Sequence, residues 1–235
     1  MAIAITYDTD YMWEEDLLKF SSDFPILGKA TYFLWKPFRN LSILNCELEP
    51  HPHFNQKKSW SAIIDEFENE WGKRGKILRP HSCVYSHMLG IELGKRGYLG
   101  ISQATYLGIS NITPYRHPWG IWELPIYYMD SMDFTMRFNW PELNHRPFDL
   151  NLIDRCIDSE SLFVFDFHPL HIALNTSDFN QYQGVKDKIL KREVSPFNLS
   201  FKGKGTRFFY EELLNKMYMR NIQSLTCEEA ILLNL

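Results

Sequence analysis

Apolar runs of strand length alternate along this chain with stretches whose apolar positions recur every three or four residues. Ala2–Tyr7 (AIAITY) is uninterrupted and rich in β-formers, which predicts a strand buried on both faces. Helical spacing follows from Asp10 to Phe24 through Met12, Leu17, Leu18 and Phe20, and stops at Pro25. Lys29–Trp35 (KATYFLW) and Ile43–Leu48 predict the second and third strands. Ser59 is placed to cap the amphipathic stretch Trp60–Trp71, where Ile63, Ile64 and Phe67 share a face, and Gly72 and Gly75 mark its stop. Lys76–Leu78 predicts a fourth strand, Val84–Lys95 a helix ending at Arg96-Gly97, and Tyr98–Ser102 a fifth strand.

Gln103 to Gly120, with Pro114 and Pro118, reads as loop. Ile121–Tyr128 reads as a strand that Pro125 confines to an edge or a bulge. The pattern is weakest over Ser131–Cys156, where a helix is predicted near Pro147–Cys156. Leu162–Phe167 (LFVFDF) is the clearest strand after the first. Asn175–Ser200 is polar and irregular and predicts an insertion or long loop over the site. Thr206 is placed to cap a helix Arg207–Met219, and Gln223–Thr226 and Cys227–Leu232 supply a last strand and helix. With no repeats or linker, the alternation predicts an α/β fold. It is a single distorted (β/α) barrel of seven or eight strands, residues 1–235 forming one domain with its site at the C-terminal ends of the strands.

Charge and cysteine usage narrow the picture. A net charge of −4 with pI near 6.1 speaks against a nucleic-acid partner, which calls for a basic face. Cys46, Cys83, Cys156 and Cys227 are scattered, with no C-x-x-C pair, as expected of a reduced compartment without a zinc knuckle. The N-terminus lacks the basic region of a signal peptide, and no apolar run approaches the ~20 residues of a membrane span, so a cytoplasmic protein is expected. Aromatic residues make up 15% of the chain and are assigned mostly to the core.

The chemistry-bearing residues follow the strands: Asp8 and Asp10 after the first, His51 and His53 after the third, Arg79-Pro80-His81 after the fourth, and His168 and His171 after Leu162–Phe167. In an alternating fold such strand ends converge on one face. Asp8 and Asp10 point to the same side of an extended chain, so a base and a metal ligand can share one site; the competing reading is a turn in which Asp10 caps the first helix. His51 and His53 can likewise face one metal, or form a solvated loop pair. His81 is a ligand candidate, or a core histidine bonded to backbone. Pro169 favours a tight loop at His168 and His171, one serving catalysis and the other supporting it or meeting substrate. Arg79 can clamp the base aspartate or a substrate carboxylate through its planar fork, or form a surface ion pair. Glu123 is a candidate substrate contact or a barrel-rim acid. His87, His117 and His145 are assigned structural places, and Gly203-x-Gly205 a helix-entry turn.

Several of these segments resemble one family. Thr6-Tyr7-Asp8-Thr9-Asp10 resembles the T-F-D-D opening of polysaccharide deacetylases, and Lys29–Leu34 resembles their second strand, K-A-T-F-F. Glu47–Phe54 is similar to the E-I-G-x-H segment. Arg79-Pro80-His81-Ser82 lies where R-x-P-Y is expected, and Phe167–His171 where the last motif, a strand-end histidine, lies. The E-L-P of Glu123–Pro125 and the run Phe167–Thr176 resemble a divergent branch found among surface-polysaccharide biosynthesis proteins. The resemblance touches residues 1 to about 176 and, more loosely, the C-terminal helix.

It implies a distorted barrel and a divalent metal, zinc above all, held by one aspartate and two histidines. It also implies removal of an N-acetyl group from a carbohydrate or sugar precursor by metal-bound water. By position Asp8 resembles the base, Asp10 a metal ligand, His51 the first histidine ligand and His168 the general acid. Two departures stand out. The family's H-x-x-x-H would need a histidine where Asn55 stands, which leaves His53, His81 or His171 as the second ligand, and the Arg79 motif lacks its tyrosine. Two rivals remain at this stage: a non-catalytic sugar-binding barrel that has lost a metal ligand, and a metal-dependent C–N hydrolase of another small metabolite.

Overall fold

Strand β1 (Ala2–Asp8) carries no charge until its last residue, and every position from Ile3 onward is buried, so it sits in the middle of the molecule. The computed structural model describes residues 1–54, 57–135, 146–157 and 159–233. After β1 come α1 (Glu14–Asp23), β2 (Ala30–Leu34), β3 (Cys46–Pro50), α2 (Trp60–Trp71), β4 (Ile77–Leu78), α3 (His87–Arg96), β5 (Gly100–Ile101), β6 (Tyr115–Arg116), β7 (Trp122–Glu123) and β8 (Tyr128–Met129). The chain continues through α4 (Asp130–Thr135), α5 (Asn151–Ile157), β9 (Leu162–Phe167), α6 (Pro169–Leu174), α7 (Phe179–Leu190), α8 (Thr206–Met219), β10 (Ser224–Leu225) and α9 (Cys227–Leu232).

β1 pairs in parallel with β9 from Ala2↔Leu162 to Tyr7↔Phe167 and with β2 from Ile5↔Ala30 to Asp8↔Phe33. β2 carries β3, and β9 carries β8, also in parallel. A second sheet runs β4-β5-β7 in parallel, with the short β6 antiparallel to β7. Backbone hydrogen bonds join the two sheets at both borders. Arg79 N–H donates to the Pro50 carbonyl at 3.1 Å, and His81 N–H to Pro52 at 3.1 Å. On the other side the segment 121–129 serves two neighbours. Leu124 N–H donates to Ile101, and Tyr127 N–H to Val164. The strands therefore follow one another round a distorted barrel, and β10 fills the gap beside the lower half of β1 through Ile3↔Ser224.

The core follows from the pattern. β2 is buried at all five positions, and Ile3, Ile5, Phe163, Phe165 and Phe167 pack with Phe20, Phe209 and Tyr210 of α1 and α8. Burying one such side chain contributes roughly 1.5–3 kcal/mol, so this layer dominates stability. Ser59 caps α2 by accepting from Ala62 N–H, and Gly72 ends it at φ 78°, both as expected.

Local chemistry departs from the sequence reading in six places. The first helix starts at Glu14, not Asp10, because Tyr11 turns the chain at φ 62°. The third helix starts at His87, after Ser82 and Cys83 adopt φ 59° and 48°. Pro125 splits the expected strand Ile121–Tyr128 into β7 and β8. Residues 175–200, read as a loop, contain α7, whose N-terminus Asp178 caps by accepting from Asn180 and Gln181 N–H. Pro169 does not make a loop. It occupies the first turn of α6, where its missing N–H costs nothing. Thr206 lies inside α8, with Gly205 as its cap residue. Asn55 and His145 lie outside the described residues.

Candidate active site

The barrel's strand ends meet where β1 runs out. Asp8 ends β1. The next turn is tied down by Thr9, whose N–H and hydroxyl both donate to the Phe33 carbonyl at 3.0 Å. With Tyr11 in the left-handed region, Asp10 is presented on a closed turn and caps no helix. Asp8 and Asp10 are 3% and 4% exposed, so neither carboxylate is a solvated loop acid.

Prolines frame the histidines. His51 follows Pro50, His53 follows Pro52, and His81 follows Pro80. His51 N–H donates to the Leu34 carbonyl, and its Nδ1 lies 2.9 Å from the Arg79 carbonyl. A carbonyl only accepts, so Nδ1 carries the proton, and Nε2 faces Asp8 Oδ2 at 3.6 Å and Asp10 Oδ2 at 3.3 Å. On the other side of Asp10, His81 Nδ1 is 3.0 Å and His53 Nε2 is 3.9 Å from Oδ1, and the two rings stack at 3.7 Å. The Asp10, His53 and His81 donor atoms all lie within 4.8 Å of one another.

Asp10 Oδ1, His51 Nε2 and His81 Nδ1 are buried without a hydrogen-bond partner, an expensive arrangement unless a cation sits among them. Burial would raise Asp10, yet His51 and His81 hold it well below the usual carboxylate range. Burial and the neighbouring His81 push His53 down to about 4, so its ring keeps a free lone pair at neutral pH. One carboxylate and the imidazole nitrogens beside it form a donor set that suits a divalent metal.

Behind Asp8 lies Arg79, fully buried. Its Nη1 donates to Asp8 Oδ1 at 3.0 Å, to Thr6 Oγ1 at 2.9 Å and to Asp166, and its Nη2 donates to Ser102 Oγ at 2.9 Å. The surface-ion-pair reading is therefore excluded by burial. Burial, outweighing Arg79 and reinforced by the charge of Asp8, pushes Asp166 up to about 8, which leaves the guanidinium charge to Asp8. The Asp8 carboxyl stays below its ordinary value because His51 and Arg79 offset its desolvation.

His168, at the head of α6, is gripped by Asp130 at the head of α4. Its backbone N–H meets Asp130 Oδ2 at 2.9 Å, and Nδ1 lies 2.7 Å from Oδ1. Burial alone would lower this imidazole, but Asp130 carries it up to about 10. His168 Nε2 then faces Asp10 Oδ2 at 3.7 Å. A cleft of about 340 Å³ opens between these groups and an apolar wall that includes Met129, Phe134, Leu170 and Tyr182.

His171 also lines the cleft. Its Nδ1 is 3.2 Å from Thr176 Oγ1, and its ring lies edge-on to Phe134 and Tyr182. Burial and His168 push it well below its ordinary value, so it is a neutral wall residue, and it is not one of the donors clustered at Asp10. Glu123 does not line the cleft. It is fully buried, accepting from Gln103 and Ala104 N–H at 2.8 and 3.0 Å, with His117 Nε2 at 3.2 Å. His117 thus has a partner the sequence did not suggest.

Two residues of the site were missed. Asp166 is hidden inside LFVFDF, a run that reads as wholly apolar. Asp130 follows β8 directly, and the strand-end rule that located the other acids points to it once Pro125 is seen to divide the segment.

Comparison with known proteins yields one family and several folds. The profile of the WbmS-like polysaccharide deacetylase family matches residues 5–186. No curated protein matches the chain. Among solved structures, an inferred polysaccharide deacetylase involved in O-antigen biosynthesis, from Bordetella bronchiseptica, superposes with TM-score 0.70 at 20% identity, over 91% of this chain and 90% of that one. A 4-α-glucanotransferase from Thermococcus litoralis superposes with TM-score 0.53 at 13% identity, over 97% of this chain but 38% of its own length. At these identities the likeness speaks for the barrel and not for the chemistry. Among the described residues no helix is long and apolar enough to cross a membrane.

Proposed function

The chain belongs to the WbmS-like polysaccharide deacetylase family, and we propose that it is a metal-dependent hydrolase removing an N-acetyl group from a carbohydrate or sugar precursor. Asp10, His53 and His81 would hold the metal, zinc in the first place, with His51 on the far oxygen of Asp10. The observation that carries this reading is the convergence of unpartnered buried acceptors on Asp10, beside one ionised carboxylate and one proton-bearing imidazole.

A divalent cation in this site supplies Lewis-acid polarisation of the scissile carbonyl and acidifies water. The chain's own groups supply the remainder. Asp8, ionised and fixed through Oδ1 by Arg79, keeps Oδ2 free to take a proton from the attacking water. His168, protonated and oriented by Asp130, gives its Nε2 proton to the departing amine nitrogen. Its high affinity for the proton keeps it charged at neutral pH, and the electron-rich amine leaving group provides the driving force for transfer. The apolar wall with neutral His171 excludes water from the acyl side.

Metal analysis of the purified protein tests the reading, repeated on His51→Ala, His53→Ala and His81→Ala and paired with acetate release from N-acetylated sugars. Near-stoichiometric divalent metal, lost in His53→Ala and His81→Ala, is expected. Background metal in the wild type after reconstitution at neutral pH would overturn it.

A further inference from the structure

Cations sit on rings along one rim of the cleft. Tyr11 and Tyr182 both line it, and Lys186 Nζ lies over their faces, 5.1 Å from the centre of the Tyr11 ring and 5.5 Å from that of Tyr182. Tyr182 and Lys186 are one turn apart on α7, so one face of that helix brings both to the mouth. Beyond Tyr11 the platform continues, from Tyr11 to Trp35 at 5.8 Å and from Trp35 to Trp13 at 5.8 Å between ring centres. Lys36 Nζ lies 4.0 Å from the centre of the Trp13 ring and 4.5 Å from that of Trp35, and the Arg192 guanidinium lies 4.4 Å from Trp13.

The platform is tied to the turn that presents Asp10. Trp35 follows the end of β2, its N–H donates to Thr9 Oγ1 at 3.2 Å, and its Nε1–H donates to the Met12 carbonyl at 2.7 Å. Arg192 is already paired with Glu15. Lys36 and Lys186 have no carboxylate partner among the described residues. A ring face attracts an ammonium but carries no net charge. Two full positive charges therefore stand unneutralised beside the cleft of a chain whose net charge is −4. Both side chains are half-buried, folded onto fixed rings rather than extended into water. The rotamer freedom that a surface lysine loses on gripping an anion is already lost here, before any ligand arrives.

We propose that Lys36 and Lys186 form a phosphate subsite at the mouth of the cleft, so that the sugar presented to the cleft carries a phosphoryl group. The proposal rests on the hydrolase reading for the reaction, but not for binding. Phosphate oxygens accept short, charge-assisted hydrogen bonds from ammonium groups. Two lysines held on separate elements, one after β2 and one on α7, match a group that presents several charged oxygens in different directions. The acids nearest by do not cancel them. Asp8 is engaged by Arg79, and Asp10 by His51 and His81. A neutral saccharide would leave both ammonium charges uncompensated, whereas a phosphoryl group meets them where they already stand.

Calorimetric titration of the Asp8→Asn protein with N-acetylglucosamine, its 1-phosphate and its uridine diphosphate conjugate tests binding without turnover. At least one phosphorylated sugar is expected to bind at least tenfold more tightly than the neutral one, and Lys36→Met with Lys186→Met to remove that advantage. Lys188→Met, at an exposed position of the same helix, is expected to preserve it, and thermal melts confirm folding of each variant. Preference for the conjugate, with competition by uridine diphosphate alone, would assign the subsite to a diphosphate. Preference for the 1-phosphate, with uridine diphosphate inert, would assign it to a monoester. No binding of either phosphorylated sugar, equal affinity for charged and neutral sugars, or an advantage indifferent to the two lysines would overturn the subsite and leave the hydrolase reading standing. Phosphate-dependent binding with no acetate release by the wild type would instead sink the hydrolase reading and leave the subsite.

Discussion

Asp130 holds His168 twice, through the backbone N–H at 2.9 Å and through ring Nδ1 at 2.7 Å, so one carboxylate sets both the position and the charge of the imidazole. Replacing Asp130 by asparagine keeps the shape and removes the charge. The proton affinity of His168, now about 10, should fall toward the ordinary histidine range. The acid form is the active one, so the basic limb of the pH–rate profile should move to lower pH, and turnover at pH 8 should drop by about 10²-fold. A wild-type-like profile in Asp130→Asn would refute the role given to this pair.

Arg79 offers a test of stability. It is completely enclosed and donates to both Asp8 and Asp166, so Arg79→Met leaves the ionised Asp8 carboxylate without its cation. Loss of one partner from a buried ion pair costs about 3–5 kcal/mol. Denaturant unfolding should show that loss, and adding Asp8→Asn should recover part of it.

Glu49 predicts a pH dependence located away from the cleft. Its carboxyl accepts from Lys76 and Ile77 N–H, yet burial, with the charge of Glu47, pushes it up to about 8. A raised carboxyl binds its proton more tightly folded than unfolded. Its stabilising contribution is therefore complete below about pH 4.5, where both states hold the proton, and is lost as pH rises toward 8, at up to ~1.4 kcal/mol per pH unit. Glu49→Gln should flatten this slope in unfolding measured between pH 5 and 8. An unchanged slope would assign the dependence to other groups.

Metal should stabilise the fold by mass action. At a hundredfold excess over Kd, a cation that binds only the native state adds ~2.7 kcal/mol, which for a chain of this size is a rise in Tm of roughly 5–10 °C. Asp10→Asn should abolish the rise and chelator should reverse it, as read by differential scanning fluorimetry.

Much of this site is legible in the residues themselves. The acids at the end of β1, the histidines after β3 and β4, and His168 after β9 stand where alternating strands and helices must put them. Period and turn chemistry also located α2 and β9. Legibility failed where a local signal was outvoted. The polar composition of 175–200 concealed a helix whose Asp178 cap was in plain view, and Pro169 looked like a breaker although the first helical turn welcomes it. Asp166 was invisible because only its tertiary partners, Arg79 and the Thr6 hydroxyl, make an acid tolerable inside a buried strand. Nor can spacing alone say that His53 and His81, from different strands, stack beside Asp10. That depends on the backbone bonds joining the Pro52 carbonyl to His81.

The prolines flanking these histidines have a thermodynamic consequence. Pro50, Pro52 and Pro80 fix the backbone around His51, His53 and His81 during folding, each restriction narrowing the unfolded ensemble by about 0.4–1 kcal/mol. The ordering entropy that a flexible ligand loop would lose on capturing an ion has already been spent when the barrel forms. The donor set can thus be scattered over separate strands and still behave as one rigid claw, and a loop of the H-x-x-x-H kind becomes dispensable.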